Sequence, residues 1–271
     1  YFIQAILIYL LFIMIKIIGL KLSRKFFSNI FYVIGPLIKS EQVINYNLEK
    51  FLGHQNDDIK KKIKFQMWAN YGKTFVEYLY LKKFKNEDSH IKIKGEEILN
   101  SIKKNNKPVI FISGHFANFE LMSQELTKKK INLATIYRPL NNFFLNPFME
   151  YLRKKYICKN QIKKGLMGVK VAIEYIKKDF SIALMIDQRV GEGKRLPLFE
   201  HMALTTTLPA QMALKFNLDI VPIYIARKKN DNFEMEIYEP INIVSRDDSE
   251  SNKINISIKL NKILEEMIIR D

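Results

Sequence analysis

Three apolar patterns succeed one another along this chain. Residues Tyr1 to Leu20 form an almost unbroken apolar run, with Gln4, Lys16 and Gly19 as exceptions. From Phe26 to Phe84 the apolar positions instead return every three or four residues, which predicts helices over Phe26–Ile38, Glu41–Gly53 and Ile59–Phe84. The last of these carries an aromatic stripe, Phe65, Trp68, Tyr71, Phe75 and Tyr78, that reads first as core. Beyond Lys85, short β-favouring runs alternate with helical segments. Strands are predicted at Ile91–Gly95, Val109–Ile112, Asn132–Tyr137, Ser181–Ile186, Ile220–Ala226 and Phe233–Tyr238. Helices are predicted at Glu96–Asn105, from Glu120 to Lys130, and at Phe143–Tyr156, Val169–Lys178, Leu208–Phe216 and Ile254–Ile269. Gln161–Gly168 and Gly191–Met202 read as loops, and Pro222 argues for a sheet edge or a bulge at its strand. This alternation predicts an α/β fold, a largely parallel central sheet flanked by helices.

A helix across a bilayer needs roughly 20 residues, so residues 1–20 read as a membrane-anchor helix, with Lys16 able to snorkel toward headgroups. A signal peptide fits less well, because no small-residue cleavage site follows. A buried core helix is the third reading. Lys21, Arg24 and Lys25 follow directly, and under the positive-inside rule they place the body of the protein on the cytoplasmic side. With no repeat and no low-complexity linker, residues 21–271 read as a single domain, of which 21–84 form a helical part suited to a membrane interface.

Composition adds little to this picture. The 271 residues, 48% hydrophobic, are enough for a sizeable core. The net charge of +16 favours an anionic partner, although the lysines are spread along the whole chain. A single cysteine, Cys158, excludes an internal disulfide and a cysteine-based zinc cluster. The four histidines, His54, His90, His115 and His201, are too scattered to suggest a metal site. No nucleic-acid reader motif is present.

The candidate chemistry sits where the strand Val109–Ile112 hands over to a helix. Gly114, His115 and Glu120 lie in Gly-His-Phe-Ala-Asn-Phe-Glu. Inside one helix, five steps of about 100° would hold His115 and Glu120 apart, so the histidine must precede the helix and the acid must open it. Gly114 would ease that bend. Glu120 would then fix one ring nitrogen and leave the other to take a proton from a hydroxyl. The plainer alternative is a half-buried histidine bonded to backbone. Other strand ends carry Arg138 and the trio Asp187, Gln188 and Arg189, and such ends converge on one crevice in sheets of this kind. A base, an orienting acid and nearby cations suit acyl transfer, in which a hydroxyl attacks directly and the cations hold the oxyanion.

The residues resemble a known family at this point. His115 and Glu120 match the histidine-four-residues-acid motif of the lysophospholipid acyltransferase superfamily. Tyr137-Arg138-Pro139, Lys164-Gly165, Met185-Ile-Asp187-Gln188, Thr-Thr-Leu-Pro209-Ala and Ile220-Val-Pro222 follow in an order similar to that of the bacterial lipid A late acyltransferases. The match runs from about Pro108 to Pro240, and the apolar amino terminus fits as well. The resemblance implies a glycerolipid-acyltransferase-like fold at the cytoplasmic face of the inner membrane. It implies transfer of a fatty acyl chain from acyl carrier protein to a hydroxyl of a lipid A precursor, with no metal or organic cofactor. His115 is then the general base, Glu120 its partner, and Arg138 the holder of an oxyanion or a phosphate. Asn118, Lys164, Asp187 and Gln188 become substrate-binding candidates; capping, a solvated surface position and a structural cap are the plain alternatives for Asn118, Lys164 and Asp187. The implied partners are the acyl carrier protein, the lipid A precursor and the anionic inner membrane, with no nucleic acid. Two other readings stay open: a glycerophospholipid acyltransferase acting on lysophosphatidate-type acceptors, and a catalytically inactive membrane protein that binds anionic lipid.

Overall fold

The computed structural model describes residues 1–38, 41–53, 57–243 and 247–271; His54 lies outside them. The chain divides into two compact units, Tyr1–Lys83 with Asn142–Leu145, and Phe84–Asn141 with Asn146–Asp271.

The first unit is helical: α1 (Phe2–Ile18), α2 (Leu20–Ile38), α3 (Glu41–Leu52), α4 (Asp57–Glu77) and a 3₁₀ turn at Tyr78–Tyr80. Helices α2 and α4 pack closely, because Gly72 on α4 lets the Phe27 carbonyl approach to where a Cβ would stand. A buried ion pair crosses the same contact, Arg24 Nε to Glu77 Oε1 at 2.7 Å. The single-pass anchor expected at residues 1–20 is not supported. Helix α1 ends at Ile18, where Gly19 turns away with φ 87°. Among the described residues no helix is long and apolar enough to cross a membrane. Lys16 does not snorkel. Its ammonium is bonded to the Leu79 carbonyl at 2.5 Å and lies 4.3 Å from the centre of the Tyr80 ring. Ala5, Phe12 and Ile15 are buried beside it, while Ile3, Leu7, Leu10, Ile13 and Ile17 remain exposed.

The second unit is the predicted α/β body. After α5 (Leu81–Asn86) come β1 (Ile91–Lys94), α6 (Glu96–Asn105), β2 (Val109–Ser113), α7 (Glu120–Lys128), β3 (Leu133–Tyr137) and α8 (Asn146–Leu152). They are followed by β4 (Asn160–Lys163), α9 (Leu166–Ile176), β5 (Ser181–Met185), β6 (Lys194–Leu198) and β7 (His201–Thr205). The chain closes with α10 (Leu208–Phe216), β8 (Asp219–Arg227), β9 (Phe233–Ile237) and α11 (Glu250–Arg270). The main sheet has the order β1-β9-β8-β2-β5-β3-β4. Strands β8, β2, β5, β3 and β4 run parallel, and β9 joins β8 antiparallel. Ile110, Ile112, Ile182 and Ile220 meet α9, α10 and α11 in one core through Ala172, Ala213 and Leu260. Alternate residues Val109 and Phe111 face the other way and are equally buried.

Four local expectations are corrected. Pro222 marks neither an edge nor a bulge. Strand β8 pairs with β2 up to Ile112↔Pro222 and with β9 from Ile223↔Ile237, so the missing N–H falls where one ladder ends and the next begins. Gly191–Met202 is not a loop, because β6 and β7 form a hairpin inside it. Its two-residue turn, Phe199-Glu200, has φ of 47° and 62°, a conformation usually given to Asn-Gly. The start of Gln161–Gly168 belongs to the edge strand β4, in which only Ile162 is buried. Phe143–Tyr156 is not one helix; α8 ends at Leu152 and passes into a π-helical turn at Arg153–Ile157.

Candidate active site

Parallel strands all deliver their carboxyl ends to one rim, and the register decides which residues meet there. Ser113 on β2 pairs with Met185 on β5, and the Ile186 N–H continues the ladder to the Ser113 carbonyl at 2.9 Å. Two residues past that pair on each strand stand His115 and Asp187. The Asp187 carboxylate grips the histidine twice. Oδ1 lies 2.7 Å from Nδ1, and Oδ2 accepts the His115 backbone N–H at 2.9 Å. A carboxylate only accepts, so Nδ1 carries the proton and the Nε2 lone pair is free to act as a base. Nε2 has the Gln188 side-chain amide at 3.5 Å, the outer limit of a hydrogen bond. The Phe119 ring stands edge-on to the imidazole at 4.5 Å. His115 keeps 28% of its side chain exposed, enough for a substrate to reach Nε2.

The carboxylate bonded to His115 is that of Asp187, where the motif spacing pointed to Glu120. Glu120 opens α7 as expected, but its carboxylate is buried and held by Arg153. Nε and Nη2 of that arginine donate to Oε1 at 2.8 and 2.7 Å. The π-helical turn explains the reach. It starts at Arg153, and such turns widen a helix by one residue and commonly mark functional positions. The Arg153 guanidinium also lies 5.5 Å from the centre of the Tyr137 ring at the end of β3. Nothing in the spacing of the sequence singled out Arg153. Its one signal is a cation in a segment that otherwise buries Leu152 and Ile157.

The bend before α7 is also built differently from expectation. Gly114 does not supply a left-handed turn; the residue with positive φ is Ala117, at 44°. Gly114 is needed for space, since a Cβ there would stand 2.7 Å from Cε2 of Phe116. That ring is buried and packs edge-on to Tyr224 at 5.2 Å. Gly114→Ala should therefore cost about 1–3 kcal/mol, the usual range for overpacking. Thermal unfolding checks this, together with a fall in transfer rate as His115 is displaced.

The remaining candidates divide by exposure. Asn118 is buried, with its carbonyl accepting the Leu121 N–H at 3.1 Å. Arg138, Lys164, Gln188 and Arg189 are exposed at the strand ends. In this strand order β5 lies between β2 and β3, so Arg138 roots roughly 10 Å across the sheet from His115, within reach of one substrate. Among the described residues no three His, Cys, Asp or Glu side chains gather into a metal-holding group.

A carboxylate-backed imidazole at the rim of a parallel α/β sheet, flanked by exposed cations, has the geometry that a general base for an attacking hydroxyl needs. The chain matches the family model described as bacterial lipid A biosynthesis acyltransferase over residues 1–271 and belongs to that family, so it is an acyltransferase. No curated protein matches the chain.

Proposed function

We propose that the protein transfers a fatty acyl chain from an acyl carrier protein thioester to a hydroxyl of a lipid A precursor. The observation that carries the reading is the two-point grip of Asp187 on His115, which leaves Nε2 as the ring nitrogen open to a substrate. Nε2 takes the hydroxyl proton as the oxygen attacks the thioester carbonyl. The tetrahedral oxyanion then collapses, the thiolate leaves, and the imidazolium returns the proton to the sulfur. Asp187 stabilises the imidazolium between the two steps. Arg138 supports the oxyanion or a phosphate of the acceptor, and Gln188 approaches Nε2 from the substrate side. Glu120 acts through Arg153, fixing the start of α7 and with it the segment that carries His115. Asn118, buried in that segment, shapes the floor beneath the acceptor.

Membrane contact in this reading needs no span. The outer faces of α1 and α2 expose Ile3, Leu10, Ile17, Phe26, Val33 and Leu37. Such helices lie in the plane of an interface, with basic residues attracted to anionic lipid. A phosphorylated glycolipid and an acidic carrier protein also suit a chain of net charge +16. The full chain, given an acyl-carrier-protein thioester and a lipid A precursor, should yield a product heavier by one acyl group in mass spectrometry. Parallel reactions with coenzyme A thioesters and with lysophosphatidate should give little product. Preference for lysophosphatidate would move the protein to the glycerophospholipid reading, and no product with any acceptor would sink the proposal.

A further inference from the structure

We infer that Glu150 is a positioning residue: through Tyr137 and Asn146 it fixes the backbone that presents Arg138 and Lys164 as a paired site for a phosphate on the acceptor. The inference rests on the acyl-transfer reading of the site.

Arg138 and Lys164 are exposed, and neither side chain has a hydrogen bond or ion pair among the described residues. Long cationic side chains carry about 2 kcal/mol of rotamer entropy each, so they are aimed only if their roots are rigid. The roots here are held from both sides. Just before Arg138, the Tyr137 hydroxyl donates to Glu150 Oε1 at 2.6 Å. Just after it, the Leu140 N–H donates to Asn146 Oδ1 at 2.8 Å. Asn146 Nδ2 then donates to the same Glu150 oxygen at 2.9 Å, closing the two ends on residues four apart on α8. The Tyr137 carbonyl accepts the Lys164 N–H at 2.8 Å, so the strand carrying the second cation is tied to the same point.

The charges divide accordingly. Tyr137 on β3 is registered with Lys163 on β4, and Lys163 reaches Glu150 at 3.5 Å. One residue past the ends of β3 and β4 stand Arg138 and Lys164. Their roots are about 4.8 Å apart. Two neighbouring cations with no acid between them complement a phosphate monoester, which accepts charge-assisted bonds from both. The Tyr137 hydrogen bond, opposed by burial and helped by Asn146, holds the Glu150 carboxyl below the usual carboxylate range. Burial first, then Glu150, pushes the Tyr137 hydroxyl well above the ordinary tyrosine range. The contact therefore keeps one protonation state through neutral pH, and it acts as a fixed brace.

The test compares a lipid A precursor with and without its phosphate as acceptor for the full-length enzyme. Glu150→Ala should raise KM for the phosphorylated acceptor on the order of tenfold, the equivalent of losing one charge-assisted contact. Its effect on kcat and on KM for the dephosphorylated acceptor should be much smaller. Glu150→Gln keeps an oxygen for Tyr137 and Asn146 and should restore most of the preference. Adding Glu150→Ala to the double variant Arg138→Ala/Lys164→Ala should cause no further loss, since Glu150 acts only through those two cations. If Glu150→Ala does not fold, Tyr137→Phe removes a single hydroxyl and serves the same comparison. Equal losses on both acceptors, or a further loss when Glu150→Ala is added to Arg138→Ala/Lys164→Ala, would overturn the inference. Titrating each acceptor without donor reads the same ratio as a Kd, so the brace is judged even if wild type yields no product. An unchanged Kd ratio in Glu150→Ala sinks the inference while leaving the acyl-transfer reading in place.

Discussion

His115→Ala should lower acyl transfer by about four orders of magnitude while leaving the fold intact, and Asp187→Asn should come close to it. Oδ2 of Asp187 accepts the His115 backbone N–H, a donor that cannot change its role, so an asparagine must turn its carbonyl oxygen to that bond. Its amino group is then left facing Nδ1, where the carboxylate accepted the Nδ1–H hydrogen bond. The imidazole responds by placing its own proton on Nε2, and the base disappears without the ring moving. Asp187→Ala lets the ring find either tautomer, so it should retain more activity than Asp187→Asn despite the larger deletion. Single-turnover rates at matched thermal stability check the order. If Asp187→Asn stays within tenfold of wild type, Asp187 is not the partner of the base.

The sequence made the rim legible and left the pairings across it hidden. A buried apolar run ending at a glycine located β2 and placed His115 beyond it. Parallel strands end on one side, so Arg138, Asp187 and Gln188 were already assigned to the same edge. Strand order is a different kind of fact. Strands β2 and β5 are neighbours, yet β3 and β4 come between them in the chain, and no periodicity encodes that crossing. The partner of His115 lies 72 residues away for that reason, while an acid five residues away was the obvious choice. Elements with their own strong pattern, such as α6 and α10, begin and end where the sequence placed them. Elements that depend on others did not. Strand β4 shows only one buried side chain, and the β6–β7 hairpin turns at Phe199-Glu200, where turn chemistry gives no signal. At the amino terminus the length of the apolar run suggested a span. The break at Gly19 and the packing of Ala5, Phe12 and Ile15 divide that run into an inner and an outer face.

Arg153→Met should be the most destabilising single change at this site, by about 3–5 kcal/mol, because it removes the cation from a buried carboxylate. Glu120 is only 8% exposed, and two guanidinium bonds converge on one of its oxygens. Glu120→Gln should cost less, since an amide oxygen still accepts from Nε and a neutral group is cheaper to bury. A double variant, Glu120→Leu with Arg153→Met, should recover much of the stability lost in Arg153→Met alone, because neither charge is then left without its partner. Activity should separate the role of this pair from that of Asp187. If Glu120 steadied the imidazole directly, Glu120→Gln would damage the rate as severely as Asp187→Asn. If it acts through Arg153 on the start of α7, Glu120→Gln should lose rate only in step with stability. Denaturant melts combined with single-turnover rates on the four variants decide between these. A rate loss in Glu120→Gln as deep as that of Asp187→Asn, at matched stability, would return the motif acid to the imidazole.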